Sequence, residues 1–240
     1  MILFELLFRR ETRAPMVALT FASAVAVALA AARIVATHQI RYGLLVWNLV
    51  LAWLPLIFAL LAREHFQSGL KRNWRFAALA AAWLLFFPNA PYIFTDIIHL
   101  HVGSFRYYWP DLTLILIFAL TGLVLGFLSL FLMHALARQH WGQVRGWLFV
   151  MAVATLSGFA IYLGRVLRFN SWDVIMKPVR LIQGVSAWAG HPLADSSTFV
   201  FPALFATFLF LAYVMLYALT HLPQPGRLNQ VHDAAKPIVA

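Results

Sequence analysis

The chain has 240 residues, of which 63% are hydrophobic and only 11% charged, where an average soluble domain carries about a quarter charged residues, so the composition excludes an ordinary soluble domain and points to a membrane protein. Net charge is +10, yet eleven of the eighteen Lys and Arg residues fall in alternate connections between apolar runs, which is a topology pattern and not the contiguous basic stripe of a nucleic-acid binder. Cysteine is absent, which removes disulfides, thiolate zinc sites and cysteine nucleophiles and leaves the redox compartment open.

Crossing a hydrocarbon core of about 30 Å takes roughly twenty apolar residues. Six runs meet that length: Met16–Ala36, Gly43–Ala62, Phe76–Phe94, Leu112–Met133, Trp147–Leu167 and Phe199–Leu219. The fold class this predicts is all-α, a polytopic bundle of six spans occupying residues 16–220. Short connections make sequential spans antiparallel. Met1–Phe8, apolar ahead of the basic Arg9–Arg13 cluster, reads with the rest of 1–15 as a segment lying on the cytoplasmic face. The run that follows, with Ala28-Leu29-Ala30, resembles a secretory signal but is long for one and reads as a retained helix. Ile175, Val179, Ile182 and Val185 recur at helical spacing opposite Lys177 and Arg180, which predicts an interfacial helix over about 174–188. Residues 221–240 read as a polar, disordered tail.

Lys and Arg fix the orientation. Arg9, Arg10, Arg13, Arg63, Lys71, Arg72, Arg75, Arg138, Arg145, Arg227 and Lys236 lie on one side, and Arg33, Arg41, Arg106, Arg165, Arg168, Lys177 and Arg180 on the other. The positive-inside rule places both termini in the cytoplasm. Trp74, Trp141 and Trp147 suit the inner interface and Trp109, Trp172 and Trp188 the outer, while Trp53 and Trp83 fall at mid-span as packing residues. Gly122 and Gly126 read as a close-packing surface, and His134, His140, His221 and His232 as ordinary interfacial or tail residues.

The third span contains FFPNAPYIFTDIIHLH, residues 86–101. Proline removes a helical hydrogen bond and clashes with the preceding turn, and residues before proline avoid helical geometry. Phe87 and Ala90 are therefore expected off the helix, with Asn89 placed to satisfy a freed backbone group. Broken backbone at membrane depth must face protein or a cavity. At 1.5 Å per residue Pro88 lies about 18 Å into the span and Asp96 about 30 Å, at the outer boundary. Asn48 lies about 8 Å below that boundary, Arg165 about 27 Å along span five, and span four begins just after Asp111. Tyr162, Arg165 and Arg168, at i, i+3 and i+6, share one helical face approximately, and Asn170 and Asp173 follow. Asn48, Asn89, Asp96, Asp111 and Arg165 thus converge on one outer layer.

Two motifs, PNAPYIFTDIIHL (Pro88–Leu100) and YLGRVLRFNSWD (Tyr162–Asp173), resemble the bacterial integral-membrane family of unknown function DUF1361, over roughly span two to span six. The resemblance implies a polytopic protein of the bacterial plasma membrane and marks Asn89, Pro91, Tyr92, Asp96, His99, Arg165, Arg168, Asn170, Trp172 and Asp173 as matching positions. It names no chemistry.

Three readings of the layer stay open. In one, Asn48, Asn89, Tyr92, Asp96, His99, Asp111, Tyr162, Arg165, Arg168, Asn170 and Asp173 form an outward-facing site for an anion such as a lipid headgroup or lipid-linked phosphate, the arginines supplying planar forks. In a second, Asp96, His99 and His101 ligate a divalent metal, with Asp111 or Asp173 completing the shell, in a membrane-embedded hydrolase or transferase. In a third, Arg165 paired with Asp96 or Asp111 only fixes helix register in a non-catalytic accessory subunit. The partners implied are the bilayer, an anionic lipid or lipid-linked substrate, and a second copy or a membrane partner.

Overall fold

The computed structural model describes residues 13–38, 40–68, 73–100, 105–169, 173–190 and 197–221. The apolar stretch Met1–Phe8 and the tail beyond His221 lie outside these residues. Every regular element among them is helical: α1 (Arg13–Thr37), a 3-10 turn (Ile40–Tyr42), α2 (Gly43–Gln67), α3 (Trp74–Phe86), α4 (Asn89–Tyr92), a 3-10 helix (Ile93–His99), α5 (Phe105–Trp141), α6 (Gln143–Arg165), α7 (Asp173–Met176), α8 (Pro178–Gly190) and α9 (Ser197–Leu219). Six spans are long and apolar enough to cross a membrane, the third made of α3, α4 and most of the 3-10 helix.

Helix α5 is the hub, touching α1, α2, the broken third span and α6, while α9 packs on α6. Its inward face carries the fully buried Phe118, Ala119 and Leu125. Ser129 accepts from the Trp83 indole at 3.1 Å, so Trp83 is a packing residue with its one polar atom satisfied. Trp53 does the same toward Ser23 of α1, also at 3.1 Å.

The third span changes pitch instead of unwinding. Phe87 stays helical at φ −53°, ψ −42° and Ala90 lies inside α4, contrary to the expectation that both leave helical geometry. Pro88 and Pro91 carry no N–H, so the ladder loses two donors. It re-forms with a tighter bond from Ala90 N–H to the Phe87 carbonyl (3.1 Å) and a regular one from Tyr92 N–H to the Pro88 carbonyl (3.0 Å). That leaves the Phe86 carbonyl without its usual backbone donor, and the Asn89 side-chain amide donates to it instead at 3.0 Å.

The close-packing glycines receive this segment. A β-carbon on Gly122 would lie 2.7 Å from the Ala90 carbonyl oxygen and 2.8 Å from Ile93 Cδ1, and one on Gly126 would lie 3.0 Å from Ala90 Cβ. The break is thus buried against α5, as irregular backbone in lipid requires.

Two boundaries differ from the sequence reading. Helix α5 spans 37 residues, about 55 Å, so it runs well past Met133, and its turn into α6 is Gly142 alone at φ 87°. The expected helix over 174–188 is split at Lys177, because Pro178 starts a helix readily at its first position but disfavours helical geometry in the residue before it.

Candidate functional site

At the end of the bundle where α2 begins and α6 stops, one carboxylate draws three spans together. The 3-10 winding after Pro91 places successive side chains three per turn, so Tyr92 and Thr95 stack on one edge with Asp96 beside them. Asp96 is 5% exposed. Its Oδ1 accepts from an Arg165 terminal nitrogen at 2.7 Å and its Oδ2 from the Asn48 amide at 2.9 Å. A carboxylate has no proton to give, which forces Asn48 to present its NH2.

Arg165 is fixed from three sides. Thr95 donates its hydroxyl to the Tyr92 carbonyl at 2.6 Å, turning its lone pairs toward Arg165, whose Nε donates to it at 2.9 Å. The guanidinium also lies 4.5 Å from the centre of the Tyr92 ring, a cation–π geometry. Gly164 gives that ring its room, since a β-carbon there would stand 3.1 Å from Tyr92 Cε2.

A second ion pair sits at the same end. Arg33 Nε donates to Asp111 Oδ1 at 2.6 Å, tying α1 to α5, with the Arg33 guanidinium 5.8 Å from the Tyr42 ring centre. Asp111 therefore pairs with Arg33, and Arg165 with Asp96. Asp173, 5% exposed, faces the Lys177 ammonium at 3.5 Å.

The predicted residues do not all meet. Asn48, Tyr92, Asp96 and Arg165 form one cluster, and Asp111 and Asp173 are engaged elsewhere. Asn89 serves the broken backbone, and Tyr162 is buried with its ring 6.3 Å from Phe201. Arg168 does not share a helical face with Tyr162 and Arg165. Helix α6 ends at Arg165, Arg168 turns left-handed at φ 57°, and Phe169 N–H closes back on the Leu163 carbonyl at 3.1 Å. Arg168 is exposed. His101, Asn170 and Trp172, and the His99 side chain, lie outside the described residues. No group of three His, Asp or Glu side chains suited to a metal occurs among the described residues, and neither Asp111 nor Asp173 joins Asp96.

Sequence reasoning passed over Thr95, Gly164 and Arg33. Thr95 was legible as the residue three after Tyr92 in the same motif, and Arg33 as a lone arginine in the last turns of a span. It also took His134 for an interfacial residue, whereas His134 is 1% exposed at the opposite end of the bundle. Its Nδ1 lies 2.9 Å from the Tyr213 hydroxyl, its ring 4.8 Å from Trp147 edge-on, and Arg138, one turn on, donates to the Tyr217 hydroxyl. This cluster staples α5 and α6 to α9.

Neither the curated proteins nor the solved structures contain a match to the chain. The family profile described as "protein of unknown function (DUF1361)" matches residues 47–219, which takes in Asn48, Asp96, Arg165 and Arg168 and leaves out Arg33. That span exceeds half of the chain, and the chain belongs to the DUF1361 family.

Proposed function

We propose that this DUF1361 membrane protein holds an anionic group, a lipid headgroup or a lipid-linked phosphate, at the outer boundary of the membrane, with Arg168 as its principal cation. One observation carries the reading. Asp96, Asp111 and Asp173 are each matched to a basic side chain, while the exposed Arg168 and Arg180 have no carboxylate partner among the described residues. The Lys and Arg distribution puts this end outside, the side where topology disfavours surplus basic residues. An anionic partner accounts for the surplus, and a guanidinium offers phosphate a two-pronged hydrogen-bonded contact.

The buried pair then has a supporting part. Asp96 neutralises Arg165 and anchors the end of α6, so the three-residue excursion to Arg168 starts from a fixed point. Under the metal-enzyme reading Asp96 would turn its carboxylate to an ion, but both of its oxygens already accept from Arg165 and Asn48.

The test uses the full chain in nanodiscs of phosphatidylcholine doped with phosphatidylglycerol, read by native mass spectrometry of the lipids retained on release. Wild type is expected to retain phosphatidylglycerol over phosphatidylcholine. Arg168→Gln, and more so Arg168→Gln/Arg180→Gln, should lose that preference by roughly tenfold, the equivalent of one charge-assisted hydrogen bond. Arg168→Lys should recover it only in part. Equal retention of both lipids by wild type, or an unchanged preference in the double variant with an unchanged unfolding temperature, would sink the proposal and favour an accessory role.

A further inference from the structure

We infer that α8 lies in the plane of the outer headgroup layer with its apolar face toward the acyl chains, and that the anion reaches Arg168 attached to a lipid and not from solution. The second half rests on the function proposed above, and the first does not.

Helix α8 is bracketed by span ends: α6 stops at Arg165 and α9 starts at Ser197, so both of its flanks are held at one membrane boundary. Thirteen residues make it about 20 Å long, too short to cross and long enough to lie flat. Val179 and Ile182, three apart, are each 66% exposed, and Met176 just before them is 75% exposed. Arg180 precedes Ile182 by two residues, about 200° around the helix, and Lys177 stands just ahead of the first turn. Lys177 is 57% exposed at its side chain and Arg180 is exposed as well. Apolar residues on one face and cations on the other are what an interfacial helix needs to enter the acyl boundary while meeting headgroup phosphates. The sequence-level stripe also included Val185, which is half-buried, and Ile175, whose side chain lies outside the described residues.

Gly184, one turn on from Arg180 and on the same side of the helix, grips the protein. A β-carbon on Gly184 would stand 3.0 Å from Phe169 Cε2 and 3.9 Å from Leu167 Cδ1. The helix therefore sits directly on the two neighbours of Arg168. Seating α8 in the headgroup layer holds Arg168 at the depth of lipid phosphates, where a headgroup arrives by lateral diffusion.

The absence of cysteine makes any introduced cysteine the sole labelling site. Nitroxides at Lys177, Val179, Arg180 and Ile182, one per protein, are read in phosphatidylcholine–phosphatidylglycerol nanodiscs by relaxation with oxygen, which concentrates in lipid, and with a water-soluble nickel chelate. The expected result is oxygen-favoured relaxation at 179 and 182 and nickel-favoured relaxation at 177 and 180, differing severalfold. Nickel access at all four positions, or shielding of 179 and 182 from both reagents as under a protein partner, overturns the placement of α8. In a second arm millimolar inorganic phosphate competes with phosphatidylglycerol for wild type and Arg168→Gln. Lipid retention that resists phosphate supports delivery through the membrane. Displacement of the lipid by free phosphate, dependent on Arg168, overturns that delivery while leaving the proposed anion site standing.

Discussion

Breaking the Asp96–Arg165 pair one partner at a time, and then both together, measures what holds the third span to α6. Asp96→Ala leaves the Arg165 guanidinium, whose side chain is 15% exposed, without the carboxylate that neutralises it, and leaves the Asn48 amide without its acceptor. Arg165→Met leaves a carboxylate that is 8% exposed with Asn48 as its one remaining donor in the cluster. Removing one partner of a buried pair costs about 3–5 kcal/mol, and replacing both by apolar groups is often close to neutral. Partial water access at Arg165 argues for the lower end, about 3 kcal/mol for Asp96→Ala. The double variant should then fall short of the sum of the singles by about 2 kcal/mol, close to thirtyfold in the folding equilibrium. Ordinary hydrogen-bonded pairs between membrane helices average about 0.6 kcal/mol and reach about 1.7, so the pair stands outside that range if the charges matter as argued. The assay is a four-member cycle unfolded by SDS titration in bicelles, followed by tryptophan fluorescence and far-ultraviolet dichroism. A coupling at or below about 0.6 kcal/mol refutes the reasoning and reduces the cluster to routine interhelical bonding.

Three other outcomes follow from the packing. Gly122→Ala should destabilise by about 1–3 kcal/mol through overpacking, because its β-carbon meets the Ala90 carbonyl at 2.7 Å, whereas Gly43→Ala, with nothing within 4 Å, should be near neutral in the same SDS titration. Gly142→Ala should cost about 1–3 kcal/mol from the backbone alone, since φ is 87° and ψ 172°, a region essentially confined to glycine, and the site is open; equal stability of the two proteins in thermal unfolding would contradict the one-residue turn. Tyr213→Phe leaves the buried His134 without its Nδ1 partner, and His134 Nε2 has no hydrogen-bond partner among the described residues, so a loss of about 1–3 kcal/mol is expected. Adding His134→Phe removes the stranded polar ring and should recover part of that loss, and a double variant less stable than Tyr213→Phe would show that the ring's packing outweighs its polarity.

The six spans were legible because each is a local property, a run of apolar residues long enough to cross. Their ends were less so. An apolar window stops at the first charge, but a helix does not, and α5 continues through Arg138 to Trp141. That continuation carries His134 and Arg138 alongside α9, where Tyr213 and Tyr217 meet them. The break in the third span was legible from its two prolines and the intervening Asn89. Its form was not, because the preference of a pre-proline residue against helical geometry is a local bias. Packing against Gly122 and Gly126 overrides it and keeps Phe87 and Ala90 helical.

Pairing lay beyond local pattern for a different reason. Span counting puts Asp96, Asp111 and Arg165 at one level of the membrane, yet level says nothing about which helices are neighbours. Arg33 proves to be the partner of Asp111 because α1 lies beside α5. The same limit bears on the function. A helical count from Tyr162 through Arg165 to Arg168 makes the two arginines equivalent forks on one face. In the fold α6 stops at the first, which is already engaged by Asp96, Thr95 and Tyr92, and the chain turns left-handed at the second. A guanidinium that has used its donors on the protein is a poor receiver for an incoming phosphate, and one that is exposed with no carboxylate partner among the described residues is a good one. The anion reading therefore moves from Arg165 to Arg168, three residues along the chain and on the other side of a helix end.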